Sequence, residues 1–282
     1  MSKVRPFKGL RPRPEHAAEV AAPPYDVLSS DEARNLARNN PNSFLRVNKS
    51  EIDFPPGSDP YSHEVYTRGR QNLHRLISEG IMIQDARPCF YVYRLTWQGR
   101  SQSGLVCLSS IEEYQAGLIK KHEHTRPEKV QDRADHIQAL NAQVGPVFLT
   151  VRHLKEIDQL LNKVCQRKPI CAFTAPDDVQ HELWLVGEQT TIDDFQAAFG
   201  QAKATYIADG HHRAASAAEV AGRMKKANPN NTTEELYDYF LTVIFPDDQV
   251  RILPYNRVVK DLNGLTPAEL IDRASALSLI HI

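Results

Sequence analysis

Apolar residues recur along this chain with two periods, and the alternation between them predicts a mixed α/β protein with α+β character. Over residues 61–79, Val65, Leu73, Leu76 and Ile77 fall on one side of a 3.6-residue helix, and Gly80 stands just past its end. Residues 89–97 and 103–108 then read as strands joined by a hairpin turn at Gln98-Gly99-Arg100. Further strand-like runs cover 146–151, 172–174, 182–186 and 239–245, with helices expected over 153–164 and 192–199.

Upstream, Ser30 is placed to cap a helix over 31–39, residues 44–47 read as a short strand, and 53–60 as a surface loop. Pro6, Pro12, Pro14 and the run Pro23-Pro24-Tyr25-Asp26-Val27 predict extended backbone laid over a domain. Pro24 is a candidate for a cis bond in a tight turn. Thr232-Thr-Glu-Glu235 opens the segment leading into the strand at Tyr239, and residues 251–257 read as a second edge. Thr266-Pro267-Ala-Glu269 combines a cap, a first-turn proline and a capping-box acid. The helix it starts passes Leu277 and Ile280 without a stop signal, so the sequence is expected to be truncated at its C-terminus. The expected division is 1–150 and 151–282, or one continuous domain.

Two stretches concentrate reactive side chains. In the first, Tyr206, Ile207 and Ala208 end a buried strand, and Asp209 and Gly210 break it. Ala214, Ala217, Ala218, Ala221 and Met224 trace the stripe of the helix that follows. A strand turning sharply into a helix points backbone N–H groups and the positive helix end at one spot, where phosphate binds readily. Asp209, His211, His212 and Arg213 stand at that turn, able to bind metal, move protons or clamp phosphate. Asp209 suits either a Mg²⁺ ligand or a helix cap.

The second stretch is Lys121-His122-Glu123-His124, before a helix that Thr125 can cap with Glu128 in a capping box. On that helix Val130, Ala134 and Ile137 form a buried stripe, and Lys129, Arg133 and His136 a polar one beside it. The region therefore offers a carboxylate, imidazoles and the cations Lys121 and Arg133 to a common pocket.

Bulk properties remove several function classes. The chain of 282 residues carries a formal net charge of −1, which leaves no electrostatic footprint for bulk nucleic-acid binding. It shows no membrane-length apolar run and no apolar signal region, so a cytoplasmic location without membrane contact is expected. Cys89, Cys107, Cys165 and Cys171 include no C-x-x-C pair and read as small core residues. The P-loop, Rossmann, zincin, nucleophile-elbow and zinc-deaminase motifs are all missing.

Taken together, Pro23-Pro-Tyr-Asp-Val27, Lys121-His-Glu-His-Thr125 with Asp132-Arg133, and Ile207-Ala-Asp-Gly-His-His-Arg213 resemble the bacterial family catalogued as domain of unknown function 1015. That family is itself similar to the superfamily of the ParB nucleotidase, sulfiredoxin and the archaeal free-serine kinase. The resemblance implies a ParB/sulfiredoxin-like strand–turn–helix site in which Gly210, His211, His212 and Arg213 hold the phosphates of ATP or ADP, with Mg²⁺ nearby. By analogy with the kinase, Glu123 is the candidate base, with His122 and His211 beside it as acid–base groups. The expected activity is phosphoryl transfer to a small hydroxyl metabolite, free L-serine being one candidate. Two alternatives stay open: a nucleotide-gated binding protein of the ParB type, and a metal-dependent hydrolase with His122, His124, His211 and His212 as zinc ligands.

Overall fold

A computed structural model describes residues 2–230, 233–254, 256 and 258–277. Two compact units divide the chain at Val250 and Arg251. The first opens with β1 (Val4–Arg5), β2 (Leu10–Pro12) and the helices α1 (Ala17–Val20), α2 (Ser30–Ala37), α3 (Leu45–Asn48) and α4 (His63–Ser78). Next come β3 (Met82–Gln84), β4 (Phe90–Trp97), β5 (Arg100–Ser110), α5 (Ile111–Gln115), β6 (Ile119–Lys120) and α6 (Pro127–Leu140). The rest is β7 (Val147–Val151), α7 (Lys155–Cys165), β8 (Cys171–Thr174), β9 (Gln180–Val186), α8 (Gln189–Gly200), β10 (Thr205–Asp209), α9 (His211–Ala227) and β11 (Tyr239–Pro246). The second unit contains α10 (Pro267–Leu277).

The main sheet runs β6-β10-β7-β11-β5-β4-β9-β8, with β1 added on β5. Strands from both sides of residue 150 therefore share it. Paired residues point to the same face of a sheet, and here the register builds one apolar row across six strands. Ile207 pairs with Leu149, Leu149 with Ile244, Ile244 with Leu105, Leu105 with Val92, and Val92 with Trp184. All six are at most 2% exposed. They share one core with Ile157 and Leu161 of α7, Phe195 and Phe199 of α8, and Ala214 and Ala217 of α9. A second cluster joins Leu73 and Leu76 of α4 to Leu140 at the end of α6. Helix α6 is held on α9 by Ser216, whose hydroxyl donates to the Val130 carbonyl at 3.1 Å, and by Arg223 on Asp135 at 2.8 Å.

Two pairings place the reactive stretches. Strand β6 runs parallel to β10, Tyr206 opposite Lys120, so the chain leaves both strands at the same end of the sheet. Strand β7 is antiparallel to β10, with Phe148 opposite Asp209, so the start of β7 adjoins the end of β10.

Most expected elements are present, and the differences have local causes. In place of the strand expected over 44–47 stands the helical turn α3 (Leu45–Asn48): the Ser43 hydroxyl accepts from the Leu45 N–H at 3.4 Å, and the turn closes with Leu45 and Val47 buried. Ser29, not Ser30, caps α2, since Glu32 lies at the capping-box spacing from Ser29, while the Ser30 hydroxyl donates to Glu51 at 2.9 Å. The Thr125–Glu128 box does not form. Pro127 takes the first helical position of α6, which leaves Arg126 as N-cap with no side-chain cap. Ile77 and Met224, assigned to buried stripes, are 41% and 39% exposed. No peptide bond among the described residues is cis, that of Pro24 included.

Residues 251–254 form no strand, and Thr232, Tyr255, Arg257 and Ile280 lie outside the described residues. The hairpin turn has Gln98 at φ 50° and Gly99 at φ 75°, the left-handed pair that a two-residue type I′ loop requires. The Thr266–Glu269 capping box closes on α10, with both reciprocal contacts present. Among the described residues no helix is long and apolar enough to cross a membrane. Cys89 and Cys107 are buried and unpaired, as core cysteines are expected to be.

Phe195 is fully buried with its ring edge-on to Phe90, the centroids 6.2 Å apart. Phe195→Ala is expected to cost about 3–5 kcal/mol. Urea unfolding should show it as a lower midpoint with an unchanged slope.

Candidate functional site

The site begins at Gly210, the N-cap of α9, with φ 93°. L-residues avoid this left-handed region, and glycine enters it freely. A Cβ at Gly210 would also lie 3.2 Å from the Arg213 guanidinium carbon. Both facts require glycine where β10 turns into α9. No side chain caps the helix, so Asp209 does not fill the cap role. Its carboxylate pairs instead with Arg213, four residues on.

The three residues after Gly210 fasten different parts of the chain. His211 is 3% exposed and meets the 121–126 loop. Its Nδ1 lies 3.3 Å from Glu123 Oε2, and its Nε2 accepts from the His122 N–H at 3.4 Å. The His122 and His211 rings meet edge to face at 4.4 Å, and His122 Nε2 lies 3.9 Å from Glu123 Oε1. His212 Nε2 accepts from the Arg126 N–H at 3.2 Å.

Burial lowers the pKa of both α9 imidazoles. The neighbouring His122 adds to the effect at His211, as do Lys129 and Arg126 at His212. Each ring is thereby kept neutral, with a lone pair for a backbone donor. The Asp-Gly-His-His-Arg and Lys-His-Glu-His-Thr motifs thus meet in space.

Arg213 reaches the opposite way. One terminal nitrogen donates to the Pro146 carbonyl ahead of β7, and the other to Asp26 at 3.1 Å and to Asp209. Its side chain is 13% exposed, so these partners supply the compensation that a buried guanidinium needs. Tyr25, next to Asp26, lies under the Arg133 guanidinium at 4.6 Å, and burial raises its phenol pKa. Arg133 is paired to Asp132 at 2.8 Å. Tyr25, Arg133 and Arg213 line one cavity of ≈ 30 Å³, room for a single water, and the buried Arg213 Nε has no partner among the described residues.

The remaining expected residues lie elsewhere. The Lys121 ammonium sits 3.7 Å over the Tyr114 ring, and His124 is exposed, outside the His122–Glu123–His211 cluster. His136 does not belong to a polar face: it is 4% exposed and bonded to the Val47 carbonyl at 2.9 Å. Tyr25, Asp26 and Pro146 join the site although nothing in their local pattern marks them as partners of Arg213. The only hint at Asp26 is the Pro-Pro-Tyr-Asp run itself.

A family model matches residues 4–280, nearly the whole chain. The chain belongs to the family described as protein of unknown function (DUF1015). No curated protein matches it, and no solved structure does. Membership of the DUF1015 family therefore carries no activity with it, and the chemistry rests on the geometry above.

Gly210→Ala should destabilise the chain by about 1–2 kcal/mol, the cost of a left-handed L-residue, measured by chemical denaturation. His136 supplies a pH signature. Burial, helped by the charge of Arg133, pulls its pKa down from 6.5 to about 4. The unfolded chain takes up this proton first as pH falls, so the stabilisation is complete above 6.5 and lost toward 4. His136→Gln keeps a donor for Val47 but does not titrate. Its denaturation midpoint should fall less steeply than that of the wild type between about pH 7 and about pH 4.5.

Proposed function

We propose that this chain is a nucleotide-dependent phosphotransferase acting on a small hydroxyl metabolite, free L-serine being the first candidate. The observation that carries the reading is the Glu123–His211 contact of 3.3 Å at the first turn of α9. It sets a carboxylate beside a helix N-terminus of 17 residues, whose first N–H groups have no partner within the helix. Phosphoryl transfer asks little covalent chemistry of a protein and depends on positioning and charge stabilisation.

In this reading the terminal phosphate of ATP, or of ADP, lies on the N–H groups that follow Gly210. The substrate hydroxyl oxygen attacks its phosphorus, the bond to the bridging oxygen breaks, and Glu123 accepts the hydroxyl proton. His211 holds Glu123 in place through Nδ1–H, the tautomer that its Nε2 contact with the His122 N–H selects. Arg213, with both terminal nitrogens engaged, shapes the turn and brings Asp26 and Pro146 to it.

Mg²⁺ neutralises phosphate charge in such reactions and prefers oxygen ligands in octahedral geometry. The donors gathered here fit it poorly. Asp209 and Asp26 are paired with Arg213, and Glu123 stands with two imidazoles.

The test is to incubate the full chain with ATP or ADP, Mg²⁺ or Mn²⁺, and a panel of hydroxyl amino acids, following phosphorus by NMR. A new phosphomonoester resonance is expected, with Glu123→Gln lowering kcat by roughly 10²-fold or more and KM little changed. Nucleotide binding without consumption of any acceptor would sink the reading.

A further inference from the structure

The poor fit to Mg²⁺ has a positive counterpart. His122, Glu123 and His211 each offer one ligand atom, and these atoms all lie within 4.8 Å of one another. Two of the three donors are imidazole nitrogens, which suit zinc, iron, cobalt and nickel far better than Mg²⁺. We infer that these three side chains form a binding site for one divalent transition-metal ion, with an open coordination position at the first turn of α9.

Geometry supports this. A tetrahedral ion about 2.0–2.1 Å from each ligand holds neighbouring ligand atoms roughly 3.3 Å apart. His211 Nδ1 and Glu123 Oε2 are already 3.3 Å apart. His122 Nε2 lies 3.9 Å from the other carboxylate oxygen, Oε1, so it must swing toward the Oε2 side to share the ion, and both side chains, about 60% exposed on a loop, have room to do so. The ligands come from two elements, the 121–126 loop and α9, that a parallel strand pair brings to one end of the sheet.

Loading displaces the proton from His211 Nδ1 to Nε2, and the long His122 N–H contact gives way in exchange. Three protein ligands with one position left open is the arrangement of catalytic zinc sites, whereas structural sites are closed by four. The ligand expected at that position is an oxygen anion such as a phosphate oxygen, which the helix N-terminus also favours. A carboxylate that binds the ion through one oxygen keeps its other oxygen free, but ligation takes the Nδ1–H by which His211 holds Glu123 in the phosphotransfer reading, so metal binding is measured apart from that activity.

The test uses the full chain without nucleotide, so the outcome does not depend on kinase activity. Isothermal titration with Zn²⁺, Co²⁺ and Mg²⁺ is expected to give one Zn²⁺ or Co²⁺ per chain, each bound at least ten-fold more tightly than Mg²⁺. The Co²⁺ form should show the intense visible bands of a tetrahedral site, lost on adding Zn²⁺. His122→Ala, an exposed loop change, and His211→Ala should each weaken Zn²⁺ binding by more than about ten-fold, the loss that even outer-shell partners give. Circular dichroism checks that both variants fold, and His122→Ala decides the matter if the buried His211 variant does not. His153→Ala is the control, because His153, Asp158 and Asp248 form another cluster of metal-ligand type, and it should leave binding unchanged. Unchanged Zn²⁺ affinity in His122→Ala, loss in His153→Ala instead, or preference for Mg²⁺ would each overturn the inference.

Discussion

The guanidinium of Arg213 is the tie on which the site end of the molecule depends. A nearly buried positive charge is unstable without partners, and here they come from three places: Asp26 near the start of the chain, Pro146 before β7, and Asp209 at the end of β10. The geometry is possible because Gly210 takes a left-handed conformation and has no Cβ to keep the guanidinium away. A strand end, a helix start, a neighbouring strand and an N-terminal turn are thus located by one residue.

Consecutive residues of α9 then divide the work by direction. Arg213 holds the sheet and the Tyr25–Asp26 turn, while His211 and His212 hold the 121–126 loop through neutral ring nitrogens. The division depends on protonation: imidazolium has no lone pair, and burial favours the neutral rings that can accept these backbone bonds. Glu123, like His122, is exposed, held on one side by His211 and open to solvent on the other.

Much of this was legible in the amino-acid pattern because it is local. The strand into Asp209, the break at Gly210 and the alanine-lined helix follow from neighbouring residues. So do the Gln98-Gly99 hairpin and the Thr266 capping box. Where two local signals compete, the pattern alone cannot choose. Ser29 and Ser30 both can cap α2, and Thr125 is set aside by the proline two residues later. The polar stripe of α6 failed differently. Spacing places Arg133 and His136 on one side of the helix, but not whether that side meets water or the α3 turn, and His136 meets Val47. The partners of Arg213 were out of reach for a simpler reason, since Asp26 is 187 positions away in sequence and adjacent only in the folded state.

That separation bears on how the protein comes to be made. On the ribosome the Tyr25–Asp26 turn emerges long before Arg213 exists, and β10 and α9 must pack before the two can meet. Contacts between such distant positions are slow to gain because the intervening chain must first be ordered. A chain stalled short of α9 therefore contains Glu123 without the helix that would hold it. Any ligand that binds there reports a completed fold and draws newly made chains toward it by mass action.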